Sequence, residues 1–135
     1  PVVDASRQNI VLESGEKHMV WLDNLPEALE VAKVEKKPVF IDFTGYTCTN
    51  CRWMETNVFE EVKVQKLFNE FVMLRLYTDG GKNYRENQKM EISRFGTAAL
   101  PFYVVLSPDD EEISRFPGMD PDANKFIDFL EKSLN

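Results

Sequence analysis

Residues 38–43, Pro-Val-Phe-Ile-Asp-Phe, set the tightest limit on how this chain can fold. Val39, Phe40, Ile41 and Phe43 leave the run no polar face, so as a strand it must be covered on both sides. Pro38 suits the first position of such a strand, where no ladder donor is needed. The one acid, Asp42, is costly to bury and therefore calls for a role or a partner. Gly45 then marks a turn. Immediately afterwards a helical pattern begins, and the chain's only two cysteines, Cys48 and Cys51, stand at its start.

The rest of the chain alternates in the same way. Met19–Leu22 reads as a short first strand. Pro26 suits the first turn of a helix, in which Leu25, Ala28, Leu29 and Ala32 recur at helical spacing before the polar end at Lys33–Lys37. Thr49–Phe71 reads as helix in two parts with a break near Asn57; Met54, Val58, Val62, Leu67, Phe68 and Phe71 supply its apolar side. Val72–Tyr77 is a second central strand, and Asp79-Gly80-Gly81 an open turn. A polar helix over Tyr84–Arg94 carries Met90 and Ile92 inward and ends at Gly96. Phe102–Leu106 is a third strand, and Glu112–Phe116 pairs back on it as a hairpin. Asp120-Pro121 reads as an N-cap with proline at the first helical position. Phe126, Phe129, Leu130 and Leu134 form the buried stripe of a last helix. The order β-α-β-α-β-α-β-β-α predicts an α/β fold: a central mixed sheet with parallel pairs, helices on both faces and an antiparallel edge. Residues 1–18 have no clear period and read as an extended arm, leaving one domain over 19–135.

Composition removes several classes of function. Lys and Arg number 16 against 23 Asp and Glu, a formal net charge of −7. Phosphate neutralisation needs clustered cations, so no nucleic-acid partner is expected. No apolar run approaches the roughly 18 residues of a membrane span. No basic segment followed by an apolar stretch marks a signal peptide. The first residue is Pro1, so the chain is expected to be a processed product or a piece of something longer. Two cysteines are too few for a disulfide-built scaffold. A zinc site would need two further ligands, and the single histidine, His18, reads as a solvated side chain. No metal is expected, and no cofactor beyond the two thiols.

The motif Cys48-Thr49-Asn50-Cys51 follows a buried strand and opens a helix. Free N–H groups and the positive end of the helix dipole stabilise a thiolate there. The i, i+3 spacing brings both sulfurs within reach across one turn. Cys48 would be exposed and attack a disulfide; Cys51, one turn in, would be shielded and resolve the mixed disulfide. The alternative is a pair of core cysteines or a static disulfide, which has no reason to sit at a helix start. Glu55 lies on the same helix face as both cysteines. It reads either as an acid acting on the sulfurs or as a solvated glutamate. Asp42 reads either as a working acid or as a satisfied structural one. Nearby carboxylates disfavour a thiolate, so both acids would oppose the dipole at Cys48. Pro101 suits the start of a strand.

The segment Phe40-Ile-Asp-Phe-Thr-Gly-Tyr-Thr-Cys48-Thr-Asn-Cys51-Arg resembles the active-site segment of thioredoxins. Ala99-Leu100-Pro101-Phe102 resembles that family's cis-proline loop, and Gly118 its glycine before the last helix. The resemblance spans about Met19 to Leu134. Leu25–Phe59 is similar, more narrowly, to the C-terminal periplasmic domain of the DsbD thiol:disulfide interchange proteins, through Lys36-Lys37-Pro38-Val39, Asp42, the two cysteines, Trp53-Met54-Glu55 and Val58-Phe59. It implies a thioredoxin fold and a disulfide oxidoreductase working in the periplasm as the soluble domain of an inner-membrane protein. Electrons would come from a membrane donor domain and pass to a periplasmic acceptor domain. Asp42 would shuttle a proton to or from Cys51, with Glu55 an acid near the site. The Leu100–Pro101 bond would be cis, leaving the Leu100 backbone to pair with a peptide in a groove rimmed by Tyr46, Thr47 and Phe102. Two positions depart from thioredoxins. Thr47 stands where Trp usually precedes the first cysteine, and Thr49-Asn50 replaces Gly-Pro. Both bear on potential and partner choice. The competing readings are a free-standing thioredoxin-like reductase and a binding module without redox turnover.

Overall fold

A computed structural model describes residues 9–11 and 17–135 of the chain. Within the segment read as an arm, β1 (Asn9–Val11) pairs antiparallel with β2 (Lys17–Met19), Ile10 opposite His18; the rest of residues 1–16 lies outside the described residues. The remaining elements are α1 (Leu25–Glu35), β3 (Val39–Thr44), α2 (Thr49–Asn57), α3 (Val62–Phe68), β4 (Val72–Tyr77), α4 (Tyr84–Phe95), β5 (Phe102–Leu106), β6 (Glu112–Pro117) and α5 (Ala123–Ser133). Four strands form one mixed sheet in the order β4-β3-β5-β6.

β3 is buried along its whole length, as a run without a polar face requires. Its side chains alternate between two cores. Val39, Ile41 and Phe43 pack with Ala28, Val31 and Ala32 of α1 and Phe95 of α4. Phe40 faces the other way, into a cluster with Met54, Phe59, Phe68, Tyr103, Phe126 and Phe129. Its ring centroid lies 5.2 Å from that of Phe68 and 5.7 Å from that of Tyr103. Full burial of such a side chain stabilises the fold by about 1.5–3 kcal/mol. By the same alternation Asp42 and Thr44 lie on the Phe40 face, beneath α2.

β3 and β4 are parallel, but β5 runs antiparallel to β3. Alternation of strands and helices led to parallel pairs; the difference lies in the connection. Arg94, near the end of α4, ion-pairs with Asp110 in the β5–β6 turn (2.8 Å). Gly96 then stops the helix in a left-handed conformation (φ 75°). Residues 97–101 carry the chain back, so Phe102 enters β5 opposite Phe43, next to the end of β3 that leads to the cysteines.

Local readings also shift. Of Met19–Leu22, only Met19 is in a strand. Leu22 makes a single parallel bridge to Leu74, because Asn24 already caps α1 by accepting the Glu27 N–H (2.9 Å). In α4, Ile92 is exposed and Glu91 and Phe95, one turn apart, point inward. Val62 and Leu134 are exposed rather than in the apolar stripe. The last helix is capped by Asp122, not Asp120; its carboxylate accepts the Asn124 N–H at 2.9 Å, leaving Pro121 before the helix.

Candidate active site

The break between β3 and α2 builds the site. Cys48 is the N-cap of α2 in an extended conformation, with its N–H donating to the Gly45 carbonyl (3.3 Å). Its Sγ accepts the backbone N–H of Cys51 at 3.1 Å. No acidic residue occupies the first turn of α2, so the positive end of the dipole is unopposed from within the helix. Cys48 and Cys51 form a disulfide with their Cα atoms 5.2 Å apart. Cys48 is half-buried, whereas Cys51 is only 1% exposed. On reduction, the accessible sulfur is the one already facing an N–H donor, the setting that favours a thiolate.

Beneath α2 the two acids are not free charges. Asp42 is fully buried, and its Oδ2 accepts from Arg75 Nε at 3.0 Å, while Oδ1 has no hydrogen-bond partner among the described residues. Burial pushes its carboxyl up to about 6 despite the opposing Arg75 charge. Glu55 pairs with Arg52 at 2.9 Å and approaches Arg75 at 4.0 Å. Arg52 also donates to the Thr44 hydroxyl at 2.8 Å. The Arg75 guanidinium lies over the Trp21 ring, 3.8 Å from its centroid. Two carboxylates and two guanidiniums thus form one interleaved, charge-balanced cluster. Of this cluster, Arg75 lines a cleft of about 330 Å³ together with Trp21, Tyr46, Tyr77 and Lys82. The Tyr103 phenol is held protonated well above its usual range, by burial first and then by the Asp42 and Glu55 charges.

The Leu100–Pro101 peptide is cis. The Gly118 N–H donates to the Pro101 carbonyl (3.0 Å), bringing exposed Met119 beside that loop. Tyr46 and Thr47 are exposed, and Leu100 is half-buried. Phe102 does not rim a groove: it is buried, its ring packed on Phe43 and Phe95 at 5.9 and 5.7 Å. As the second residue after Leu100 on a strand with every side chain covered, it belongs to the core.

Three residues at the site were not singled out above. Arg75 had a visible signal, since it interrupts an apolar strand as Asp42 does, and the two are register partners. Arg52 follows Cys51 directly. Asp79, read as part of an open turn, accepts three hydrogen bonds: from Tyr46 N–H (2.9 Å), Thr47 N–H (3.1 Å) and the Thr47 hydroxyl (3.1 Å). These bonds hold its carboxyl below the usual carboxylate range. Among the described residues no group of His, Cys, Asp or Glu could hold a metal ion, and no helix is long and apolar enough to cross a membrane.

A mixed sheet in the order β4-β3-β5-β6 with a Cys48–Cys51 disulfide at the start of the helix that follows β3 defines a thioredoxin-fold protein with a dithiol–disulfide centre. Residues 20–108 match the family model described as Thioredoxin-like, and the chain belongs to that family. It is similar to the thiol:disulfide interchange protein DsbD of Pasteurella multocida, 30% identical over 94 residues. That match covers 68% of this chain but only 16% of the relative's length. Among solved structures, a thioredoxin from Thermus thermophilus superposes with a TM-score of 0.67 at 24% identity, over 84% of this chain and 87% of the other. The reduced C-terminal domain of DsbD from Neisseria meningitidis gives 0.66 at 23% identity, over 80% and 92%.

Proposed function

We propose that the chain is a thiol:disulfide oxidoreductase in which Cys48 attacks and Cys51 resolves. The observation that carries this reading is the asymmetry of the pair. The half-buried sulfur sits at a helix N-cap against an N–H donor, and its partner is buried one turn in. In the reduced chain the Cys48 thiolate attacks one sulfur of a partner disulfide. A Cys48–partner disulfide forms, and the first partner sulfur leaves as a thiolate that takes up a proton. Cys51 then gives its proton to the Asp42 carboxylate and attacks Cys48 Sγ, expelling the second partner thiolate. Two electrons pass to the partner and the chain is left with the Cys48–Cys51 disulfide; a donor dithiol reverses the sequence. An acid titrating near 6 is matched to proton transfer near neutral pH. Tyr46, Thr47 and the Leu100 backbone would meet the partner chain.

The match to DsbD supports a narrower reading: residues 19–135 act as a periplasmic domain of an inner-membrane protein, taking electrons from a membrane donor domain and passing them to a periplasmic acceptor. The test of the broad reading is reduction of insulin disulfides with dithiothreitol as donor. The wild-type chain accelerates it and Cys48→Ser does not; equal rates for both would refute the assignment. For the narrower reading, Cys51→Ser expressed in the periplasm should accumulate mixed disulfides with a DsbD-type donor or acceptor domain. Capture of unrelated thiol proteins alone would favour a free-standing reductase.

A further inference from the structure

Three loops converge on Gly45. An added Cβ there would lie 2.8 Å from Asp79 Oδ2 and 3.0 Å from Leu100 Cδ1, so only glycine leaves room for both neighbours. Asp79 comes from the turn after β4, Leu100 from the cis-proline loop, and Gly45 from the turn that leads to Cys48. The Asp79 carboxylate uses both oxygens on this junction, Oδ1 for the Tyr46 N–H and Oδ2 for the Thr47 N–H and hydroxyl. Tyr46 is fixed from a second side, its ring stacked on Tyr77 at 4.0 Å and lying over Gly81. Such clamping is not needed for the core, because Asp79, Tyr46 and Thr47 are all exposed.

We infer that Asp79 is a positioning residue for disulfide exchange. It fixes the backbone of residues 46 and 47, and through it the N-cap geometry that keeps Cys48 Sγ on the Cys51 N–H. The inference rests on Cys48 being the attacking thiol. Charge-assisted bonds from a carboxylate to backbone N–H groups are about twice as strong as neutral ones, so one exposed side chain suffices to hold this loop. Asp79 acts in two opposed ways. Its negative charge disfavours a nearby thiolate, whereas its clamp preserves the donor that stabilises one.

Asp79→Asn and Asp79→Ala separate the two. Both remove the charge, but Asn keeps one acceptor oxygen for the loop. Asp79→Ala should therefore reduce insulin about tenfold or more slowly than wild type, with Asp79→Asn between them. The Cys48 pKa, read from thiolate absorbance, should be higher in Asp79→Ala than in Asp79→Asn. Gly45→Ala, whose methyl displaces the carboxylate but leaves its charge, should slow exchange and raise the Cys48 pKa above that of the wild type. Thermal melts of the oxidised proteins identify any variant that fails to fold. Should Asp79→Ala do so, Thr47→Val, which removes one bond of the clamp, must still slow the reaction. Equal pKa values and rates for the Asn and Ala variants would overturn the inference and leave Asp79 acting through charge alone. So would wild-type behaviour of all the variants. If the wild-type chain itself fails to reduce insulin, the functional reading fails instead.

Discussion

Replacing Asp42 with Asn should stabilise the oxidised protein, and by an amount that depends on pH. The carboxyl is raised from 3.8 to about 6, with burial outweighing the attraction of Arg75. A folded-state pKa above the unfolded value means that ionisation works against folding. The penalty is absent below the unfolded pKa, grows as pH rises through the window from 3.8 to about 6, and is complete above it. At 1.36 kcal/mol per unit, a shift of about two units corresponds to roughly 3 kcal/mol. Asn imitates the protonated acid and can still accept the Arg75 Nε–H bond. The two proteins should therefore be equally stable well below about pH 4 and differ by roughly 3 kcal/mol at about pH 7.5. Urea titrations of the disulfide form, followed by tryptophan fluorescence, measure the difference at each pH. Contributions from other groups cancel between the two proteins. An Asn variant no more stable than wild type at about pH 7.5 would mean that Arg75 compensates the burial in full, and the raised pKa would be wrong.

The same variant removes the proton acceptor proposed for Cys51, so it should stall exchange after the mixed disulfide forms, seen as accumulated adduct in quenched reactions. Glu55→Gln and Asp42→Asn should each lower the Cys48 pKa; Arg52→Gln, which leaves Glu55 without its 2.9 Å partner, should raise that pKa, and Arg52→Gln/Glu55→Gln should restore it. Thiolate titration checks the set, and an unchanged Arg52→Gln value would leave Glu55 without influence on the sulfur. Glu91 is buried in α4 with neither carboxylate oxygen hydrogen-bonded among the described residues, and burial raises it to about 8. Its ionisation therefore weakens the fold across the window from 4.5 to about 8. Glu91→Gln should flatten the decline of melting temperature over that range, and an identical decline in both proteins would contradict it.

Much of this fold was legible because β3 has no polar face and the cysteines follow it. Those two facts require a covered strand leading into a helix N-terminus, and the structure has both. The direction of β5 was not legible, since alternation of strands and helices says nothing about a return loop that brings Phe102 in beside Phe43. The inward face of α4 is not legible either, because hydropathy favours Ile92 over Glu91, whereas packing turns in the face that carries Glu91 and Phe95. At the site, Asp42 and Glu55 stood out as acids near the sulfurs, but their neutralisation by Arg75 and Arg52 depends on strand register and helix phase. Asp79 was hidden for a different reason. Its role depends on a contact between loops 33 residues apart, which no local pattern encodes.

The division of labour between the two cysteines is the centre of the account, and competitive alkylation of the reduced chain tests it most directly. The chain is reduced, treated briefly with limiting iodoacetamide across a range of pH, and each cysteine is quantified by mass spectrometry. Cys48 should be modified first and with the lower apparent pKa, because its sulfur is accessible and faces the Cys51 N–H, while Cys51 is buried. Preferential modification of Cys51, or equal rates at every pH, would contradict the assignment of Cys48 as the attacking thiol.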